Sequence, residues 1–180
     1  MYQKGDQSTL GSNNVKSVFY RKENNRLYAG THLGGLFVLD LKSNKGHTLH
    51  HVIGDPASLP HEIVNDIQEY KDGIAMLTQG GPVFFDPVTE KFSPLTDDPS
   101  VQKLISREYA FETFLIDSRH RMWLAVGGGG IVCVNLSSSK VTQYLADSEK
   151  DTLTVGRYKT VHIFEDNKGD IYFSTIGAGI

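Results

Sequence analysis

The sequence predicts an all-β fold built from repeated four-stranded sheets, and three observations predict it. Four segments of the 180-residue chain repeat the same markers in step. Within each repeat, short apolar or alternating runs are bounded by Gly, Asn and Asp clusters, the pattern of short strands joined by tight turns. Glycine is abundant, at 18 residues against 6 prolines, which suits many tight turns better than a flexible linker.

The repeats are taken in order. The first runs Val15-Lys16-Ser17-Val18, Arg26-Leu27-Tyr28-Ala29-Gly30-Thr31, then Gly34-Gly35-Leu36-Phe37-Val38-Leu39-Asp40. The second runs Val64-Asn65-Asp66-Ile67, Gly73-Ile74-Ala75-Met76-Leu77-Thr78, then Gly80-Gly81-Pro82-Val83-Phe84-Phe85-Asp86. The third has Phe111-Glu112-Thr113-Phe114, Arg121-Met122-Trp123-Leu124-Ala125-Val126 and Gly129-Gly130-Ile131-Val132-Cys133-Val134-Asn135. The fourth has Tyr158-Lys159-Thr160-Val161, Asp170-Ile171-Tyr172-Phe173-Ser174-Thr175 and Gly177-Ala178-Gly179-Ile180. Val15, Val64, Phe111 and Tyr158 are spaced by 49, 47 and 47 residues. Asn24-Asn25, Asp72-Gly73, Asp117-Ser118 and Asn167-Lys168-Gly169 supply the first hairpin turns, since these residues tolerate positive φ. Fourth strands are expected over 48–53, 91–95 and 141–145, and no segment shows a helical period.

Four antiparallel strands per ~45 residues match the blades of a β-propeller, each burying its two apolar faces against its neighbours. The expected blades are approximately 14–60, 61–106, 107–156 and an incomplete 157–180. Tyr28, Trp123 and Tyr172 share one blade position and are expected to bury their rings, each contributing ~1.5–3 kcal/mol. Ala75 stands there in the second blade, which is expected to pack less well. Three and a half blades are too few to close a ring, because propellers close with about 4–8. The expected partners are therefore the remaining blades of a longer parent chain, or a second copy.

Tyr28-Ala29-Gly30-Thr31-His32-Leu33-Gly34-Gly35 and Asp166-Asn167-Lys168-Gly169-Asp170-Ile171-Tyr172 resemble the two-component regulator propeller repeat. So do the linkers Asp55-Pro56-Ala57-Ser58-Leu59 and Asp6-Gln7-Ser8-Thr9-Leu10. The resemblance covers essentially the whole chain. Departures are Ala75 for the aromatic, the shortened turn Thr78-Gln79-Gly80-Gly81, and Val126 in place of threonine. The resemblance implies a periplasmic or extracellular sensor segment of a hybrid two-component regulator, of the kind found in Bacteroides-like bacteria. It further implies an oligosaccharide ligand and a kinase elsewhere in a membrane-anchored parent.

Composition excludes several other classes. The net charge is -3 and the basic residues are scattered, so no stripe exists to neutralise the phosphates of a nucleic acid. No apolar run approaches the ~20 residues of a membrane helix, and no membrane contact is expected of this segment. The single cysteine, Cys133, lies in a strand-like run and reads as a small buried hydrophobe rather than a reactive thiol. His47, His50 and His51 lack flanking ligands at metal spacing and read as an exposed strand edge; no metal and no cofactor is expected. Gly127-Gly128-Gly129-Gly130 lacks the Lys-Ser/Thr and helix of a phosphate loop. Asp72, Asp117 and Asp166 recur at one turn, as turn chemistry does, and no nucleophile motif appears. The segment is not expected to be an enzyme.

Strand parity locates a binding face. The turn after each second strand and the link leaving each fourth strand fall on the same side of an up-and-down blade. That side gathers His32, Gln79, His61, Arg107, Glu108, Tyr109, Arg157 and Tyr158, whose aromatic, cationic and polar groups suit stacking and hydrogen bonding to a sugar. The alternative function is a protein-interaction scaffold with no small-molecule ligand.

Overall fold

A computed structural model describes residues 9–107, 110–144 and 158–177. It contains fourteen strands in four antiparallel sheets, together with one helix. The chain divides into two compact units, Met1–Leu95 and Thr96–Ile180.

The first unit holds two four-stranded meanders. One comprises β1 (Val15–Arg21), β2 (Arg26–Thr31), β3 (Leu36–Asp40) and β4 (Lys45–Leu49). The other comprises β5 (Val64–Tyr70), β6 (Gly73–Thr78), β7 (Gly81–Asp86) and β8 (Lys91–Pro94). The fourth strand of the first meander begins earlier than the sequence suggests, so His50 and His51 lie beyond it. Alternation along β2 and β3 turns Tyr28, Leu36 and Val38 into one apolar cluster with Ile67, Ile74, Met76, Val83 and Phe85 of the second meander. Tyr28 is fully buried with its ring edge-on to Phe85, the centroids 6.0 Å apart. Its one polar atom is satisfied, because Asn24 Nδ2 donates to the phenol oxygen at 2.8 Å.

Ala75 is fully buried as well. Phe84 sits directly opposite Ala75 on β7, and its ring lies where a side chain at Gly73 would stand. Charged groups join the rims of the two sheets: Glu90 accepts from Arg26 Nη1 at 3.2 Å and meets His47 Nε2 at 2.9 Å, and Arg21 Nη2 donates to the Asp72 carbonyl at 2.8 Å.

The second unit opens with helix α1 (Pro99–Arg107), which the sequence reading did not foresee. Its signals are present in hindsight. The Asp98 carboxylate accepts from the amides of Ser100 and Val101, proline fills the first helical position, and Val101, Leu104 and Ile105 share a face. Val101 and Ile105 are buried. A four-stranded meander follows: β9 (Phe111–Ile116), β10 (Arg121–Val126), β11 (Ile131–Asn135) and β12 (Val141–Tyr144). The last sheet, among the described residues, is the hairpin β13 (Thr160–Glu165) and β14 (Ile171–Thr175). Ile163 and Phe173 pack against Trp123, Ala125, Ile131 and Cys133. Cys133 is buried, and burial pushes its thiol pKa up, in keeping with an inert packing role.

The recurrent aspartates act as turn chemistry. Asp117 Oδ1 accepts from the amides of Arg119 and Arg121, while Oδ2 accepts from Arg121 Nε at 2.7 Å and from the indole Nε1 of Trp123 at 2.8 Å. Burial opposes ionisation there, but these donors win and hold the carboxyl below the usual range. Asp166 repeats the pattern with the amides of Lys168 and Asp170 and with the Tyr172 phenol. Tyr172 departs from expectation: among the described residues it is 43% exposed.

Candidate recognition face at the linker and glycine-turn side

One backbone contact recurs in all four sheets. The amide that follows each second strand donates to the carbonyl of the residue just before that sheet's first strand. The pairs are His32 to Asn14 at 2.9 Å, Gln79 to Ile63 at 3.0 Å, Gly127 to Ala110 at 2.7 Å and Ile176 to Lys159 at 2.9 Å. The segment entering each sheet is therefore tied to that sheet's own glycine turn. This is the side on which strand parity gathers the candidate residues.

In the first unit a further tie links the two meanders. Gly35 N donates to the Glu62 carbonyl at 2.9 Å, so residues 61–63 run between the turn of one sheet and the turn of the next. Gly35 has φ +72, and a Cβ there would meet the Leu49 carbonyl, so glycine is required on both counts. The Glu62 carboxylate faces back across this junction. It accepts from the His51 amide at 2.8 Å and meets His50 Nδ1 at 3.0 Å. His51 Nδ1 lies 2.8 Å from the Leu59 carbonyl. Ser58 Oγ accepts from the Val52 amide and donates within the same loop. The linker from His50 to Ile63 is thus a self-bonded loop rather than a slack one.

Of the eight candidate residues, three fall together in this unit. His61 sits between the two turns, its Nδ1 accepting from the Ile63 amide at 3.1 Å, and a side chain at Gly80 would meet Pro60 and His61. Gln79 is exposed and adjoins it through the Ile63 tie. His32 opens the other turn and is half-buried. Glu62, a residue of the same linker, and His50 hold this junction. Their role comes from spacing in three dimensions, whereas the sequence showed only a His-x-x-His-His string. That string is not a simple strand edge, since His47 and His50 each meet a carboxylate.

In the second unit, Tyr158 is 41% exposed and lies beside Gly177 in the fourth sheet's turn. Next to it, Lys159 pairs with Glu112 at 2.9 Å. Arg107 ends helix α1, and its side chain lies outside the described atoms. Glu108, Tyr109 and Arg157 lie outside the described residues. Among the described residues no three His, Cys, Asp or Glu side chains are grouped to hold a metal ion. No helix among them is long and apolar enough to cross a membrane.

Solved structures share this arrangement. The extracellular domain of a putative hybrid two-component system from B. thetaiotaomicron superposes over 99% of the chain with a TM-score of 0.79 and 18% identity. The extracellular domain of a putative one-component system from the same organism superposes over 96% with a TM-score of 0.72 and 16% identity. A β-propeller domain from Myceliophteria thermophila covers 91% with a TM-score of 0.60 and 13% identity. The sheets are propeller-like blades. The chain spans only 23% and 22% of the two B. thetaiotaomicron structures. No family model and no curated protein matches the chain. The meanders of the first unit are accordingly called blades one and two, and the sheets of the second unit blades three and four.

Proposed function

We propose that this chain is a sensory, ligand-binding propeller segment of a larger extracellular or periplasmic regulator, and that it does no chemistry of its own. The observation that carries the reading is the repeated tie between linker and glycine turn. It fixes the backbone that carries His32, Gln79 and Tyr158 on that side of their sheets. A preorganised polar surface of this kind suits oligosaccharide recognition, where fixed hydrogen-bonding groups and exposed rings contribute most. The likeness to extracellular domains of two-component and one-component systems supports the sensory class, a periplasmic location and a membrane-anchored parent that supplies further blades and a signalling domain. The segment has no role for a cofactor or nucleic acid in this reading.

A second reading, a protein-interaction scaffold, draws on a different observation. Leu33 and Ile53 stand 64% and 92% exposed in the β2–β3 turn and the β4–β5 linker. Such side chains on a self-bonded loop suit a protein partner. A glycan array probed with the intact extracellular domain separates the two. Saturable binding of an oligosaccharide that is recovered unchanged supports the sensor. Silence across the array, with a protein captured through Leu33 and Ile53, favours the scaffold, and recovery of a cleaved glycan removes both.

A further inference from the structure

The linker between blades one and two carries three histidines whose ring protons are set by their neighbours. His50 Nδ1 lies 3.0 Å from Glu62 Oε2, and His51 Nδ1 lies 2.8 Å from the Leu59 carbonyl. An ionised carboxylate and a carbonyl only accept hydrogen bonds, so both Nδ1 atoms carry a proton. In the neutral ring each Nε2 is then a bare acceptor. His61 is the reverse. Its Nδ1 accepts from the Ile63 amide at 3.1 Å, so its proton sits on Nε2 and that atom donates.

The bonds that hold this loop use only the Nδ1 side of each ring. No protein partner meets any of the three Nε2 atoms among the described residues. His47 is different, because its Nε2 is already engaged by Glu90. The three rings are also placed by more than one contact. The Glu62 carboxylate accepts from the His51 amide at 2.8 Å, so one side chain sets the proton of His50 and the backbone of His51. A Cβ at Gly35 would stand 3.1 Å from Glu62 Oε2 and 3.3 Å from His50 Nδ1, which puts the pair against the glycine turn of blade one. His50 and His61 are half-buried there and His51 is exposed.

We propose that His50 and His51 accept hydrogen bonds from hydroxyl groups of a glycan, that His61 supplies the opposite bond, and that Glu62 is the positioning residue that keeps His50 an acceptor. This assignment rests on the sensory reading above and narrows it to a neutral glycan that meets the linker with free hydroxyls. A carboxylate or sulfate group has no proton to give to His50 or His51, and its charge is repelled by Glu62.

The test is calorimetry on the intact extracellular domain at about pH 8, above the usual histidine range. The probes are a neutral oligosaccharide selected from a glycan array of neutral and uronic-acid oligosaccharides, and its mono-O-methyl ethers. A methyl ether keeps the oxygen as an acceptor and removes its proton. At least one ether is expected to bind about tenfold more weakly than the parent glycan, and His50→Phe or His51→Phe to abolish that difference. Glu62→Gln separates positioning from support. Its amide oxygen still accepts from the His51 amide, while its NH2 group faces His50 Nδ1 and makes that atom the acceptor. His50 Nε2 then donates, so the ether that His50→Phe cannot distinguish from the parent is expected to bind Glu62→Gln as well as the parent does. The phenylalanine variants, which keep a ring of similar size, carry the test if Glu62→Gln disturbs the loop. Ethers that all bind like the parent overturn the proposal and leave the sensory reading standing. So does an ether difference that survives in all three variants, or an array that selects only uronic-acid glycans. Silence across the array overturns the sensory reading, and the proposal with it.

Discussion

Replacing Asp117 with alanine removes the centre of a network whose every partner is on β10 or in the turn before it. The carboxylate side chain is fully shielded, and it accepts four hydrogen bonds, two of them from Arg121 Nε and the Trp123 indole. Alanine strands the indole N–H in a buried site, at a cost of ~1–3 kcal/mol. It also strips a close ionic partner from Arg121, whose side chain remains 27% exposed and recovers part of its loss from water. A total near ~3 kcal/mol is expected, within the range for breaking a buried charged pair. With a urea dependence of ~1.5 kcal/mol per molar for a domain of this size, the midpoint falls by ~2 M. Asp117→Asn is no rescue, because an amide turns one acceptor into a donor facing Arg121 or Trp123. Trp123 is the only tryptophan in the chain and sits on the network, so its fluorescence reports the transition directly. Asp166→Ala is the internal control, since it removes the same turn bonds at an exposed site. Equal midpoints for Asp117→Ala and Asp166→Ala would refute the argument that burial gives the motif its weight.

Further outcomes follow from the same contacts. Asp117 has its folded pKa depressed, so its contribution is complete above the unfolded value near 4 and is lost as pH falls through the folded one. Acid titration of Trp123 fluorescence is therefore expected to hold steady down to about pH 4 and then fall, with the fall flattened in Asp117→Asn. Tyr28→Phe loses the bond from Asn24 at a fully buried position, and an unfolding free energy lowered by ~1 kcal/mol is expected from circular dichroism. Glu62→Ala releases His50 and the His51 amide from a half-exposed carboxylate. Its stability cost is expected to stay below ~1.5 kcal/mol, with faster hydrogen exchange confined to residues 50–63.

Much of the fold was legible because each repeat carries its own punctuation. Gly30-Thr31, Thr78 and the glycines near 35, 81 and 130 mark the same turns, and Asp40, Asp86 and Asn135 mark the next ones. What escaped depends on pairing between strands or on short-range signals inside an expected linker. Ala75 stands alone along β6, and only the strand register places Phe84 opposite it. Helix α1 spans nine residues, too few for its apolar face to stand out as a helical period along the sequence. Strand parity puts His32, His61 and Gln79 on the side where the backbone ties between linker and glycine turn lie. The ties that hold it are backbone bonds and leave no side-chain signature. The roles of Glu62 and His50 were hidden for a related reason: twelve residues separate them in sequence, and a loop brings them to 3.0 Å.

The most direct test of the recognition face is calorimetry on the intact extracellular domain, using an oligosaccharide drawn from the glycan array. The variants are His61→Ala and Gln79→Ala on the linker side, against Asp166→Ala on the opposite turn. The account predicts that the linker-side variants weaken binding by at least about fivefold, roughly the loss of one hydrogen bond, with the unfolding midpoint unchanged for Gln79→Ala, whose side chain is exposed. It predicts unaltered affinity for Asp166→Ala. Equal loss on both sides, or loss at Asp166 alone, would contradict it.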